Sequence, residues 1–359
     1  MKKLKLKYKH FLLIKSAEIE KKYLKARRIL NKKKQLKFKN RYKTKTKIKI
    51  NAPEAFYIGN THEDSVNGFS ATRVKLINFI ETIKKSLMKN LNVQISFKNT
   101  KKLSPDGTII FVAEFGKILD AYPNRITIDY LRDEVVEQLF QHIGLFERLG
   151  MTPRKKITDD SVRHWDYIYD ISADTSEFKK LFEKYSQTIS EEVRSGLFDS
   201  MSEAVTNSIQ HAYPCSHITK CDCQKGWWMF AKKIDNTLTV VIYDMGIGIP
   251  TSIERKPEIK EILANPIRKL RKKNDSLLIK IAAQSRRTTT KMSYRGKGLP
   301  DMLEFVRRSN IGEFIIFSRA GSLIYKAQEE IEIGNDYSIP IKGTFIAWNI
   351  PLTTENEKH

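Results

Sequence analysis

Thr237-Leu238-Thr239-Val240-Val241-Ile242-Tyr243-Asp244-Met245-Gly246-Ile247-Gly248-Ile249-Pro250 is the stretch on which the fold turns. Its first seven residues form an unbroken run rich in β-branched side chains, which predicts a strand. The strand ends abruptly in an aspartate followed by two spaced glycines. An aspartate at a strand end can present its carboxylate to a ligand, and glycines permit backbone angles and a closeness of approach that side chains forbid. The same letters also suit an ordinary glycine-rich turn, so the neighbouring segments decide between the two.

Upstream, Gly196 to Ala212 reads as a helix with a buried stripe of Leu197, Met201, Ala204, Val205, Ser208, Ile209 and Ala212. Asp199, Glu203, Asn207 and His211 recur every four residues and so share another face, within reach of a common ligand. Taken alone, such a stripe is the solvated side of a surface helix. Downstream, Tyr294-Arg295-Gly296-Lys297-Gly298-Leu299-Pro300 leads into a helix through Arg308, with Pro300 suited to its first turn. Glycines at a helix start leave backbone N–H groups free, and the helix dipole favours an anion there. Arg295 and Lys297 add positive charge, so the segment suits phosphate, although it is not a G-x-x-x-x-G-K-[ST] loop. Finally, Lys342 to Trp348 reads as a strand opening with Gly343-Thr344.

The order Glu203…Asn207, Asp244-x-Gly246-x-Gly248, Gly296-x-Gly298, Gly343-Thr344 resembles the N, G1, G2 and G3 boxes of the GHKL superfamily. That group includes gyrase B-type ATPases, MutL-type repair proteins, histidine kinases and anti-sigma-factor serine kinases. Ser202 to Tyr213 is most similar to the anti-sigma serine-kinase branch. The resemblance covers about 175–352 and implies an α/β fold, a two-layer sandwich of the GHKL type, with ATP and Mg2+ as cofactors. By resemblance, Asn207 coordinates the metal, Glu203 is the general base, and Asp244 accepts a hydrogen bond from the adenine amino group. Gly246 and Gly248 floor the nucleotide, Gly296 and Gly298 offer amides to phosphate, and Thr344 supports Asp244. Residues from about 251 to 295 form a lid whose cations, with Arg295 and Lys297, include Arg286, Arg287 and Lys291.

Residues 51–150 read as a smaller α/β domain. A helix is expected over Thr72–Leu87, a strand over Val93–Phe97, and a turn at Ser104-Pro105-Asp106-Gly107 opening a helix through Leu119. A second strand follows at Arg125–Ile128, and a helix over Glu134–Leu149. Ile95-Ser96-Phe97, the Ser104–Gly107 turn and His142–Phe146 resemble STAS-like partner domains of anti-sigma switches. Such domains often accept phosphate on a Ser or Thr beside the turn glycine. Asp106 stands there instead, and Ser104 is a weak substitute. Residues 151–174 are polar and read as a linker, and 353–359 as a tail. Pro214 to Gly226 looks inserted; Cys215, His217, Cys221 and Cys223 suit either a zinc site or a loop with free thiols. A histidine kinase would need a phosphoacceptor upstream, where His142 reads as a packing residue and His164 lies in the linker.

The chain of 359 residues carries a net charge of +24, unevenly spread. Residues 1–50 hold 21 Lys and Arg against Glu18 and Glu20, a local charge of +19. This basic arm suits nucleic acid or an anionic surface, or simply keeps a tail solvated. Its segment Phe11–Leu30 has helical periodicity, and Lys43–Ile50 alternates as an edge strand does. No run of apolar residues is long enough for a membrane span, and three cysteines make no disulfide framework, so a cytoplasmic location is expected. The expected function is Mg·ATP binding with ATPase or Ser/Thr protein kinase activity toward a regulatory protein partner. The alternatives are an ATP-gated interaction switch and a nucleic-acid-associated ATPase. A homodimer is implied by the resemblance alone.

Overall fold

The computed structural model describes residues 46–59, 66–214, 225–255, 275–284 and 298–352. The protein is mixed α/β, with a parallel sheet of three strands and an antiparallel sheet of seven. The first unit begins with β1 (Lys47–Asn51), β2 (Ala55–Phe56), α1 (Val66–Met88), β3 (Asn92–Ser96) and β4 (Lys102–Leu103). It continues with α2 (Pro105–Ala121), β5 (Ile126–Ile128), α3 (Glu134–His142) and α4 (Leu145–Arg148). Strands order as β1-β3-β5, with β2 paired to β4 beside them. The lysine-alternating end of the basic arm is β1, an edge strand with Ile50 buried and Lys47 and Lys49 exposed. The rest of that arm, including Phe11–Leu30, lies outside the described residues.

Two expectations change here. The helix expected over Glu134–Leu149 is broken after His142, because Gly144 turns left-handed at φ 72° and starts α4 afresh. Residues 151–174, read as a linker, contain α5 (Asp160–Arg163) and β6 (Trp165–Asp170). β6 pairs antiparallel with the Trp227–Ile234 strand, so the segment supplies one edge of the large sheet. Its alternation of Trp165, Tyr167 and Tyr169 with Asp166 and Ile168 carried that signal, within a segment otherwise polar and charged.

The remainder comprises α6 (Ser176–Lys184), α7 (Glu191–Gln210), β7 (Trp227–Ile234), β8 (Thr237–Asp244), α8 (Ile249–Ile253) and α9 (Asp275–Gln284). It closes with α10 (Gly298–Ser309), β9 (Glu313–Ser318), β10 (Gly321–Lys326), β11 (Ile331–Asp336) and β12 (Thr344–Pro351). The sheet order is β11-β10-β9-β12-β8-β7-β6, antiparallel throughout.

Both faces of this sheet are covered. Successive side chains on a strand point to opposite faces. Trp227, Met229, Val240, Ile242 and Trp348 pack under the helices, against Leu197, Met201 and Leu303. Their neighbours Trp228, Phe230, Val241, Tyr243 and Phe345 share a second core with Phe111, Phe115 and Phe140 of the first unit. Burial on both sides explains why β8 reads as a continuous apolar run rather than an alternating one. No helix among the described residues is long and apolar enough to cross a membrane.

Candidate functional site

The sheet register aligns one row of residues across the central strands. Asp244, the last residue of β8, faces Thr344, the first of β12, and Thr344 in turn faces Ser318 at the end of β9. Their side chains are linked beside the Asp244 carboxylate. The Ser318 hydroxyl accepts from Ile249 N at 2.9 Å, donates to Gly343 O at 2.9 Å, and lies 3.1 Å from Thr344 Oγ1.

Asp244 is 6 % exposed. Burial pushes its carboxyl up to about 7, opposed by the Gly246 N–H, the Thr344 N–H, the Ser208 hydroxyl and the charge of Lys117. Gly246 N donates to Oδ1 at 2.7 Å. The Ser208 hydroxyl also faces Ala204 O at 2.9 Å, so its one proton serves either acceptor in turn. A carboxylate this buried, raised despite three donors, is held for a ligand or held at a cost.

The loop after β8 is tied to the end of α7. Ile247 N donates to Ala212 O at 2.9 Å, and a Cβ on Gly246 would lie 2.3 Å from the same carbonyl oxygen. Gly248 has φ 80°, a left-handed backbone, and precedes α8. Gly343 turns left-handed at φ 65°, and its Cβ would meet Asp244 O at 1.9 Å. Tyr213 adds a brace that the motif reading missed: its hydroxyl accepts from Met245 N at 2.9 Å and donates to Gly226 O at 2.7 Å.

On α7 itself, Ser190 caps the first turn, its hydroxyl accepting from Val193 N. The polar stripe divides: Asp199 and His211 are exposed, while Glu203 and Asn207 are half-buried where α10 packs alongside. Gly298 sits directly against both, since its Cβ would fall 2.2 Å from Glu203 Oε1 and 2.8 Å from Asn207 Nδ2. Burial raises the Glu203 carboxyl above its usual range, and the nearby Asp301 charge adds to the rise. Asp301 lies in the first turn of α10, three residues beyond Gly298.

The structure therefore brings Asp244, Gly246, Gly248 and Thr344 into one group, and Glu203, Asn207 and Gly298 into another. Ser208 and Ala212 of the α7 segment join the two. Arg295, Gly296 and Lys297 lie outside the described residues, as do Arg286, Arg287, Lys291, Cys215, His217, Cys221 and Cys223. His142 is exposed rather than packed, and its ring donates to Trp165 O at 2.7 Å.

Among the described residues no three His, Cys, Asp or Glu side chains gather to cage a metal. Mg2+ does not require such a cage, because it keeps its waters, uses one or two protein oxygens and takes the rest from substrate phosphates. The Asn207 amide, whose nitrogen lies nearest Gly298, carries one oxygen of the kind such an ion takes. No family of known proteins matches this sequence, and none of the curated proteins compared with it is similar.

Proposed function

We propose that residues 175–352 form a GHKL-type domain that binds Mg·ATP and uses it for slow hydrolysis or for phosphoryl transfer to a Ser or Thr of a protein partner. One observation carries this reading. A buried carboxylate at a strand end stands opposite Thr344 and is joined through one helix to Glu203 and Asn207, with a glycine backbone packed against both.

In this reading Asp244 accepts the adenine amino hydrogen, and Thr344 and Ser318 hold the neighbouring polar row. Asn207 provides the metal ligand. Glu203 takes the proton of the attacking water or hydroxyl, a task suited to a carboxylate that burial raises above its usual range. The Gly296 and Gly298 amides, with Arg295 and Lys297, meet the phosphates. Bound magnesium supplies the positive charge that phosphoryl transfer requires, and the protein's part is chiefly positioning. The first unit serves as a STAS-like regulatory module.

Turnover of ATP by the full chain tests the enzyme reading. Glu203→Ala should lower turnover by about 10²-fold or more while nucleotide still binds. Binding without turnover in the wild type identifies an ATP-gated interaction switch instead. The charge of +19 over residues 1–50 favours a further role, attachment to a nucleic acid. Salt-dependent binding to DNA or RNA that disappears on removal of that arm supports it; binding that persists without the arm removes it.

A further inference from the structure

Two residues, Arg319 and Ala320, join β9 to β10. Arg319 has φ 53°, a left-handed backbone at the first position of a two-residue hairpin turn, where glycine is favoured. A side chain held in that conformation costs free energy and persists only where its surroundings fix it. An arginine kept at this place therefore calls for a role of its side chain.

The backbone of Arg319 is fixed from two directions. Arg73 Nη2 of the first unit donates to Arg319 O at 3.0 Å, and Ile341 N donates to the same oxygen at 2.9 Å. Two residues earlier, Phe317 is pressed from the same unit. A Cβ on Gly59 would fall on its ring, and the Arg73 guanidinium lies 5.7 Å from its centroid. Ser318, between them, turns its hydroxyl to the candidate site and accepts from Ile249 N.

The Arg319 side chain runs over the loop that follows Asp244. Its Cγ would lie 3.1 Å from a Cβ on Gly248, and its Nη1 donates to Thr251 Oγ1 of α8 at 3.1 Å. The turn from Gly248 to Thr251 is thus held by two adjacent residues that none of the motif segments contains. The carboxylates of Glu254 and Asp275 lie 3.9 Å and 3.7 Å from the guanidinium. The Arg319 side chain is 40 % exposed, so these two long pairs hold little by themselves.

We propose that Arg319 is a positioning residue for the nucleotide site: its left-handed backbone, clamped by Arg73 of the first unit, aims the guanidinium at Thr251 and so fixes Gly248 and the start of α8. The inference rests on the reading of Gly246 and Gly248 as the floor under the nucleotide. It adds that this floor is held in shape by a contact from the first unit. A loop already fixed in its binding arrangement pays no ordering cost when the ligand arrives, so loss of the Arg319 to Thr251 bond weakens binding although no ligand contact is removed.

The test is Mg·ATP binding by calorimetry to the full chain, with a thermal melt of each protein, for wild type, Arg319→Gly, Thr251→Val, Thr251→Ser and the double variant Arg319→Gly with Thr251→Val. Arg319→Gly removes the backbone strain together with the side chain and should melt within about 2 °C of wild type. Its affinity should fall by about threefold to tenfold, the worth of one hydrogen bond. Thr251→Val should show the same loss, and Thr251→Ser, which keeps the hydroxyl, should bind as wild type does. The double variant should lose no more than either single one, because both remove the same bond. Wild-type affinity in Arg319→Gly or in Thr251→Val overturns the inference, as does a double variant whose loss is the product of the two single losses. Absence of wild-type binding overturns the nucleotide reading itself, and this inference with it.

Discussion

Thr344 stands directly opposite Asp244 in the ladder between β8 and β12, although 100 residues separate them in the chain. Gly343, immediately before Thr344, is the residue that lets the two strands close at this point. Its φ is 65°, and any side chain there would meet the Asp244 carbonyl.

Substitution of the two site glycines should separate folding from function. A left-handed non-glycine residue costs roughly 1–2 kcal/mol, and at Gly343 the obstructing atom is backbone. Gly343→Ala should therefore lower the melting temperature by more than about 4 °C. At Gly298 the obstructing atoms are all side-chain, Oε1 and Cγ of Glu203 and Nδ2 of Asn207, which can shift by changing rotamer. Gly298→Ala should melt closer to wild type than Gly343→Ala does, while turnover falls by about tenfold or more, because Glu203 and Asn207 are displaced. Equal melting of all three proteins would remove this account of Gly343.

Asp244 should be a stability liability at neutral pH. Its folded carboxyl titrates near 7 and its unfolded one near the ordinary value of 3.8. The folded state thus binds the proton more tightly. This contribution to stability is fully present below the unfolded value and is lost as pH rises through about 7. Asp244→Asn keeps an acceptor for Gly246 N and never ionises. It should melt higher than wild type at about pH 8, with the advantage shrinking toward about pH 4. Melts across that range check this, and a variant destabilised equally at both ends contradicts it.

Arg73 ties the two sheets together. It is 1 % exposed, lies 4.2 Å over the Tyr337 ring, and donates to Ile339 O, Arg319 O and Ile58 O. Burial lowers its guanidinium to about 10, so it stays charged near neutrality. Arg73→Ala leaves these carbonyls without their donor and should cost about 2–4 kcal/mol in denaturant unfolding. Lysine lacks the planar fork that reaches several acceptors at once, so Arg73→Lys should recover less than half of the loss. A loss below about 1 kcal/mol for Arg73→Ala would show that the aromatic core alone holds the units together.

What could be read from the sequence follows from how local each signal is. The β8 run, the Ser104 helix start and the α7 stripe are patterns within one element, and the structure places those elements within a few residues of the expected bounds. β6 escaped because its alternation is only six residues long and lies within a polar, charged segment, and the break at Gly144 escaped because Ile143 and Leu145 continue an apolar stripe across it. Tyr213 had a faint signal, since it closes the segment that carries Asn207. Lys117 and Arg73 had none: among 65 lysines and arginines, only the docking of the first unit on the sheet selects these two.

The central claim is that Asp244 reads an adenine, and the most direct test is the choice between Mg·ATP and Mg·GTP in calorimetry of wild type and Asp244→Asn at about pH 8.5, where the Asp244 carboxyl is ionised. An ionised carboxylate accepts from the adenine amine and opposes the carbonyl oxygen that guanine presents in its place. A hydrogen bond to a charged group is worth about 1.5–3 kcal/mol, so wild type should prefer ATP by roughly 10-fold to 100-fold. The asparagine amide can turn to donate to that carbonyl, and the preference should narrow or vanish in the variant. Equal binding of ATP and GTP by the wild type, or no binding of either, would contradict the account.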